Sequence, residues 1–184
     1  MSEPSGRATT PRGDKTAARR PAVRGQPARP PALDVLAWVA TRDGRLLTAR
    51  SHGSDAFYAP GGKREPGESD AAALRREIAE ELGIELDPAT LTLVTVITAP
   101  AHGGPPGQLV RMICYAADPA PDAPEPAPHG EIAELRWLAP AERDLAAPAD
   151  QALIDHLLSC GDLPGPSRAT GPEPAAIAGV HTLG

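Results

Sequence analysis

The chain has 184 residues, 41% hydrophobic and 23% charged, with a formal charge of −6 and only two cysteines. That length holds one domain of ordinary size with extensions and excludes two full domains, while two cysteines without paired spacing exclude a disulfide framework or a zinc site. No run approaches the ~20 apolar residues of a membrane span, and the N-terminal stretch lacks an apolar signal core, so the expectation is a soluble protein of the reducing cytoplasm.

Residues 1–31 carry six prolines and seven basic residues (Arg7, Arg12, Lys15, Arg19, Arg20, Arg24, Arg29) against Glu3 and Asp14. With Val23 as its one β-branched aliphatic residue, this segment cannot bury enough surface to offset the entropy of ordering. It reads as a disordered basic arm. Clustered arginine adds salt-sensitive phosphate affinity, so nucleic-acid contact stands as an alternative to a solubilising role.

The folded body is expected over residues 32–160. Leu33–Thr41 reads as a buried strand, and Asp43-Gly44 is a two-residue turn into Arg45–Arg50, which predicts an antiparallel pair. A short extended piece, Phe57–Pro60, ends at Gly61-Gly62 and a long polar loop. A helix begins near Ser69, a good N-cap, and runs to Leu82 with Gly83 ending it; Leu74, Ile78 and Leu82 form its apolar stripe. Leu91–Thr98 and Leu109–Ala117 are further strands joined by the His102–Gly107 loop. Asp118–His129, with five prolines, is an exposed loop. Leu135–Leu138 is a short strand, and Asp150–Ser159 is an amphipathic closing helix. From Gly161 the chain returns to Pro, Gly, Ala and Thr, so 161–184 reads as a second tail. Strands around a helix, more strands and a last helix indicate an α/β fold with a mixed sheet between helices.

The chemistry concentrates in Gly62–Ile84 (GKREPGESDAAALRREIAEELGI). Glu77, Glu80 and Glu81 are related by three- and four-residue steps, so they share one helix face. Like charges this close call for a cation, and oxygen-only donors suit magnesium, with manganese as substitute, rather than zinc. Arg76 is placed to hold Glu68 and fix the loop against the helix. At Gly61-Gly62 the missing Cβ lets the backbone approach a ligand, and a carbonyl there is a further metal donor. Such a site binds a diphosphate and hydrolyses P–O–P.

The same stretch resembles the Nudix box: Gly62, Glu68, Arg76, Glu77, Ile78, Glu80, Glu81, Gly83 and Ile84 fill every defined position without a gap. The resemblance covers about Leu33 to Ser159 and implies an α/β/α sandwich around a mixed sheet, with the box as loop, helix, loop. It implies a pyrophosphohydrolase in which Glu77, Glu80, Glu81 and the Gly61 carbonyl hold the metal, while Gly62, Glu68, Arg76 and Gly83 support the motif. A MutT-like arrangement places a further carboxylate six residues before a tryptophan, which is Glu131 relative to Trp137, with Glu134 as competitor.

The box leaves the group attached to the diphosphate open. Pro148-Ala149-Asp150 resembles the Pro-Ala-Asn with which MutT-type enzymes read a purine; here Asp150 would accept from the N–H edge of a base, or simply cap the helix. Phe57, Tyr58, Trp38 and Arg111 are candidates for lining the base pocket. The expected reaction is a possibly oxidised nucleoside triphosphate going to monophosphate and pyrophosphate. Alternatives are an ADP-ribose or nucleotide-sugar pyrophosphatase, for which Pro100 is a hint, and a ligand sensor without turnover. Oligomeric state is not legible.

Overall fold

The computed structural model describes residues 30–165. Apart from Pro30 and Pro31 the basic arm lies outside the described residues, as does the tail from residue 166 onward. Six strands and two helices follow in order: β1 (Leu33–Trp38), β2 (Thr41–Arg42), β3 (Arg45–Ser51), α1 (Asp70–Leu82), β4 (Thr92–Pro100), β5 (Leu109–Ala116), β6 (Ile132–Leu138) and α2 (Pro148–Cys160). They form a mixed sheet in the order β1-β5-β4 and an antiparallel one in the order β2-β3-β6.

The expected antiparallel pairing of the first strand with the third is corrected. β1 runs parallel to β5, from Leu33 opposite Val110 to Trp38 opposite Tyr115. The Asp43-Gly44 turn does form, with φ of 50° and 69°, but it joins only Thr41 and Arg42 to Leu46 and Arg45. Burial explains the difference. Leu36 and Trp38 point into one hydrophobic layer and Ala37 and Val39 into the other, and a strand covered on both faces suits a parallel ladder.

The same alternation runs through β3 and β5, so each helix finds an apolar face. Leu74, Ile78 and Leu82 of α1 pack with Leu36, Leu47 and Ile113; Leu153, Ile154 and Leu157 of α2 pack with Leu46, Met112 and Cys114. Each such buried aliphatic side chain contributes about 1.5–3 kcal/mol. Leu163 is only 2% exposed, and the Pro164 ring lies so close to Gly44 that a Cβ there would stand 2.6 Å from it. The packed body thus runs past the expected boundary at residue 160.

Between the two sheets runs Phe57–Gly62. Tyr58 exchanges both backbone hydrogen bonds with Ala49 of β3 (2.7 and 2.9 Å), while the carbonyls of Pro60 and Gly62 accept from Trp38 and Leu36 of β1 (2.8 and 2.7 Å). The segment stitches one sheet to the other.

Candidate active site

Local chemistry places α1. The Ser69 hydroxyl accepts from the Ala72 N–H at 3.2 Å, Asp70 sits favourably in the first turn, and Gly83 ends the helix in the left-handed conformation, φ 67°. With the apolar stripe fixed inward, Glu77, Glu80 and Glu81 fall beside the glycine segment. A Glu81 carboxyl oxygen accepts from the Gly61 N–H at 2.9 Å. The Glu77 carboxyl lies over Gly62, where a Cβ would stand 2.4 Å from it. Glu80 projects outward, its side chain 65% exposed.

Arg76 grips Glu68 through two bonds of 2.9 Å, reaches the Lys63 carbonyl at 3.0 Å, and lies 3.0 Å from Glu77. This contact holds the Glu68 carboxyl down to about 2, helped by the Glu65 N–H. Glu81 goes the other way: burial first, then the charges of Glu77, Glu131 and Glu80, push it up to about 7 against the Gly61 hydrogen bond. Among the described residues no three acidic, His or Cys side chains converge on a common point: Arg76 pairs with Glu77 and lies 3.8 Å from Glu80, and the Gly61 N–H holds Glu81. In kind, the donors fit a hard divalent cation: all are oxygens, and the cluster is short of positive charge.

A cavity of 310 Å³ opens beside this cluster, with Glu81 and Glu131 in its wall and Asp150 also lining it. Asp150 is 1% exposed; one carboxyl oxygen accepts from the Ala59 N–H at 2.7 Å, and burial pushes its pKa up to about 7. Tyr58 lines the cavity. The other candidates do not. Arg111 points away to Asp34 at 3.0 Å, because its strand neighbours Val110 and Met112 occupy the wall. Phe57 is buried in the α2 layer with the guanidiniums of Arg50 and Arg136 near its ring. Trp38 is buried in the other layer and donates to the Ala117 carbonyl at 2.9 Å. Glu134 is paired with Arg50, which leaves Glu131 as the carboxylate beside Glu81.

The family model of the NUDIX domain matches residues 30–157. The chain belongs to the Nudix family. It is accordingly a pyrophosphohydrolase, and its closing sandwich is the Nudix fold. Among solved structures it is similar to the E. coli ORF135 protein, at 30% identity over 74% of this chain and 96% of that one, TM-score 0.55. It is also similar to a MutT NUDIX hydrolase from Burkholderia pseudomallei, at 26% identity over 70% and 99%, TM-score 0.55. A bifunctional NMN adenylyltransferase/ADP ribose pyrophosphatase from Francisella tularensis, complexed with AMP and a manganese ion, shares the fold at 19% identity over 70% and 42%, TM-score 0.54. Comparison with curated protein sequences found no match.

Two features of this Nudix site were not legible in the sequence. His102 lines the cavity and its ring nitrogen meets Asp55 at 2.7 Å, an encounter between residues 47 positions apart. Asp70 does more than favour the helix start: it accepts from Arg64 and from the Tyr115 hydroxyl, both at 2.6 Å. That fastens the box loop and α1 to β5. Only the tertiary fold brings these partners together, and no local spacing marks them.

Proposed function

We propose that this Nudix hydrolase converts a nucleoside triphosphate, oxidised or normal, to the monophosphate and pyrophosphate with magnesium. One observation carries the reading: a single cavity joins the Glu81 and Glu131 carboxylates to the buried Asp150. A diphosphate at the acidic end and a base at Asp150 fit one small ligand. The carboxyl of Asp150 suits a base edge that presents N–H groups.

In the reaction water adds to one phosphorus as the anhydride P–O bond breaks, and the bond's electron pair leaves with the departing group, pyrophosphate or the nucleoside monophosphate according to which phosphorus is attacked. Glu131 takes the proton of the attacking water. Glu77, Glu80, Glu81 and the Gly61 carbonyl hold the cation, which supplies neutralisation of the phosphoryl oxygens when bound. Arg76 and Glu68 keep the loop in register with the helix, and the apolar cavity wall excludes bulk water. Manganese is the expected substitute metal. Among the described residues no helix is long and apolar enough to cross a membrane; with two free thiols, Cys114 and Cys160, the proposed location is the cytoplasm.

The test is product formation, monophosphate with pyrophosphate from oxidised and normal nucleoside triphosphates or two phosphomonoesters from ADP-ribose and nucleotide sugars, separated by chromatography with Glu80→Gln as the blank. Glu80→Gln is expected to fold normally and to lose about a hundredfold or more in turnover. Preference for a triphosphate supports the proposal, and preference for ADP-ribose or a nucleotide sugar replaces the substrate. Near-normal turnover by folded Glu80→Gln refutes the metal-site assignment.

A further inference from the structure

We propose that His129 is a positioning residue for Glu131: seated on Gly83, it pins the proline-rich segment Asp118–His129 to the end of α1 and so sets where Glu131 faces Glu81. The inference rests on the reading of Glu131 as the carboxylate outside the helix.

A helix leaves its last carbonyls without intrahelical donors. Here the proline-rich segment supplies them. Prolines at 126 and 128 fix φ and lack an N–H, and the residues after them donate to the helix end: Ala127 to the Leu82 carbonyl at 3.2 Å and His129 to the Glu81 carbonyl at 2.8 Å. The segment is tied at its start as well, by Ala120 donating to Glu85 at 2.8 Å. Gly83 then serves two ends. It turns the helix off, and it leaves room for a ring: a Cβ there would stand 2.5 Å from Nε2 of His129.

From this seat the chain turns sharply. Gly130 has φ 57°, and the Ile132 N–H closes the turn on the His129 carbonyl at 3.0 Å. Glu131 lies inside that turn, its own carbonyl accepting from the His52 N–H at 3.0 Å, and it shares the cavity wall with Glu81. Glu81 therefore holds the Gly61 N–H with its side chain and the His129 N–H with its backbone. The two loops that meet at the cavity are registered on one residue.

The experiment compares His129→Ala and His129→Phe, each alone and with Glu131→Gln, by steady-state kinetics and by binding of Mn2+ alone followed by electron paramagnetic resonance. His129 is on the surface, so the fold should survive, which circular dichroism verifies. Positioning predicts that His129→Ala lowers kcat about tenfold with KM and Mn2+ affinity little changed, since Glu131 is not among the residues that hold the cation. The Phe variant, which keeps a ring on Gly83, restores most of the kcat. In the Glu131→Gln background His129→Ala should cost nothing further. An equal loss in both backgrounds, unchanged kcat in His129→Ala, or a loss of Mn2+ affinity as large as that of kcat overturns the proposal. Full activity of Glu131→Gln overturns the role of Glu131 itself, a separate failure visible before any His129 variant is made.

Discussion

Asp150 occupies the first turn of α2, where the helix N-terminus favours a carboxylate, yet burial dominates and its pKa is raised to about 7 from 3.8. The folded state then binds a proton that the unfolded state has lost, so stability falls as pH rises from about 4 through about 7. Asp150→Asn lacks this proton and should flatten that part of the profile: its thermal midpoint, followed from pH 5 to pH 8, gains on the wild type as pH rises. A constant difference between the two proteins would remove the protonated carboxyl from the account. Single residues were legible in the sequence where their roles are local, as for Arg76 with Glu68. Arg111 and Phe57 were not, because the side a strand residue faces depends on register, and a shift of one position turns it over.

At the scale of elements, α1 was readable from Ser69 to Gly83 because caps and apolar stripe are all written within one stretch of chain. The pairing of β1 with β5 was not, since its residues lie 77 positions apart and no local signal distinguishes it from the hairpin that Asp43-Gly44 suggests. In the sequence the Gly61-Gly62 pair looks like one feature, whereas the two glycines meet different neighbours. At Gly61, φ is 141° and a Cβ would stand 2.3 Å from the Leu36 backbone oxygen; at Gly62 it would meet only the movable end of Glu77. Gly61→Ala should therefore destabilise the fold by at least about 1–3 kcal/mol. Gly62→Ala should keep its thermal midpoint and bind Mn2+ about tenfold more weakly as the Glu77 carboxylate is displaced. Calorimetry and metal titration of the two variants separate the cases, and identical behaviour would mean that Glu77 is not held by the space at Gly62.

Taken as a whole, the molecule is a layered sandwich whose order was legible from element sequence and periodicity, while its C-terminal limit was not. Leu163 follows a helix-ending glycine and precedes prolines, the pattern of a tail, yet its side chain fills the layer beneath α2. Ending the chain at Asp162 should lower stability by about 1.5–3 kcal/mol, while ending it at Gly165 should not, and turnover well below the midpoint should match in both. Equal unfolding midpoints would show that Leu163 adds nothing. The stitch from Phe57 to Gly62 has a mechanical meaning for the same body. It is bonded to β3 at Tyr58 and to β1 at Pro60 and Gly62, and it carries the N–H that tethers Glu81. It is the spine of a book whose covers are the two sheets, and no change in their angle leaves the fastening of the acidic helix untouched.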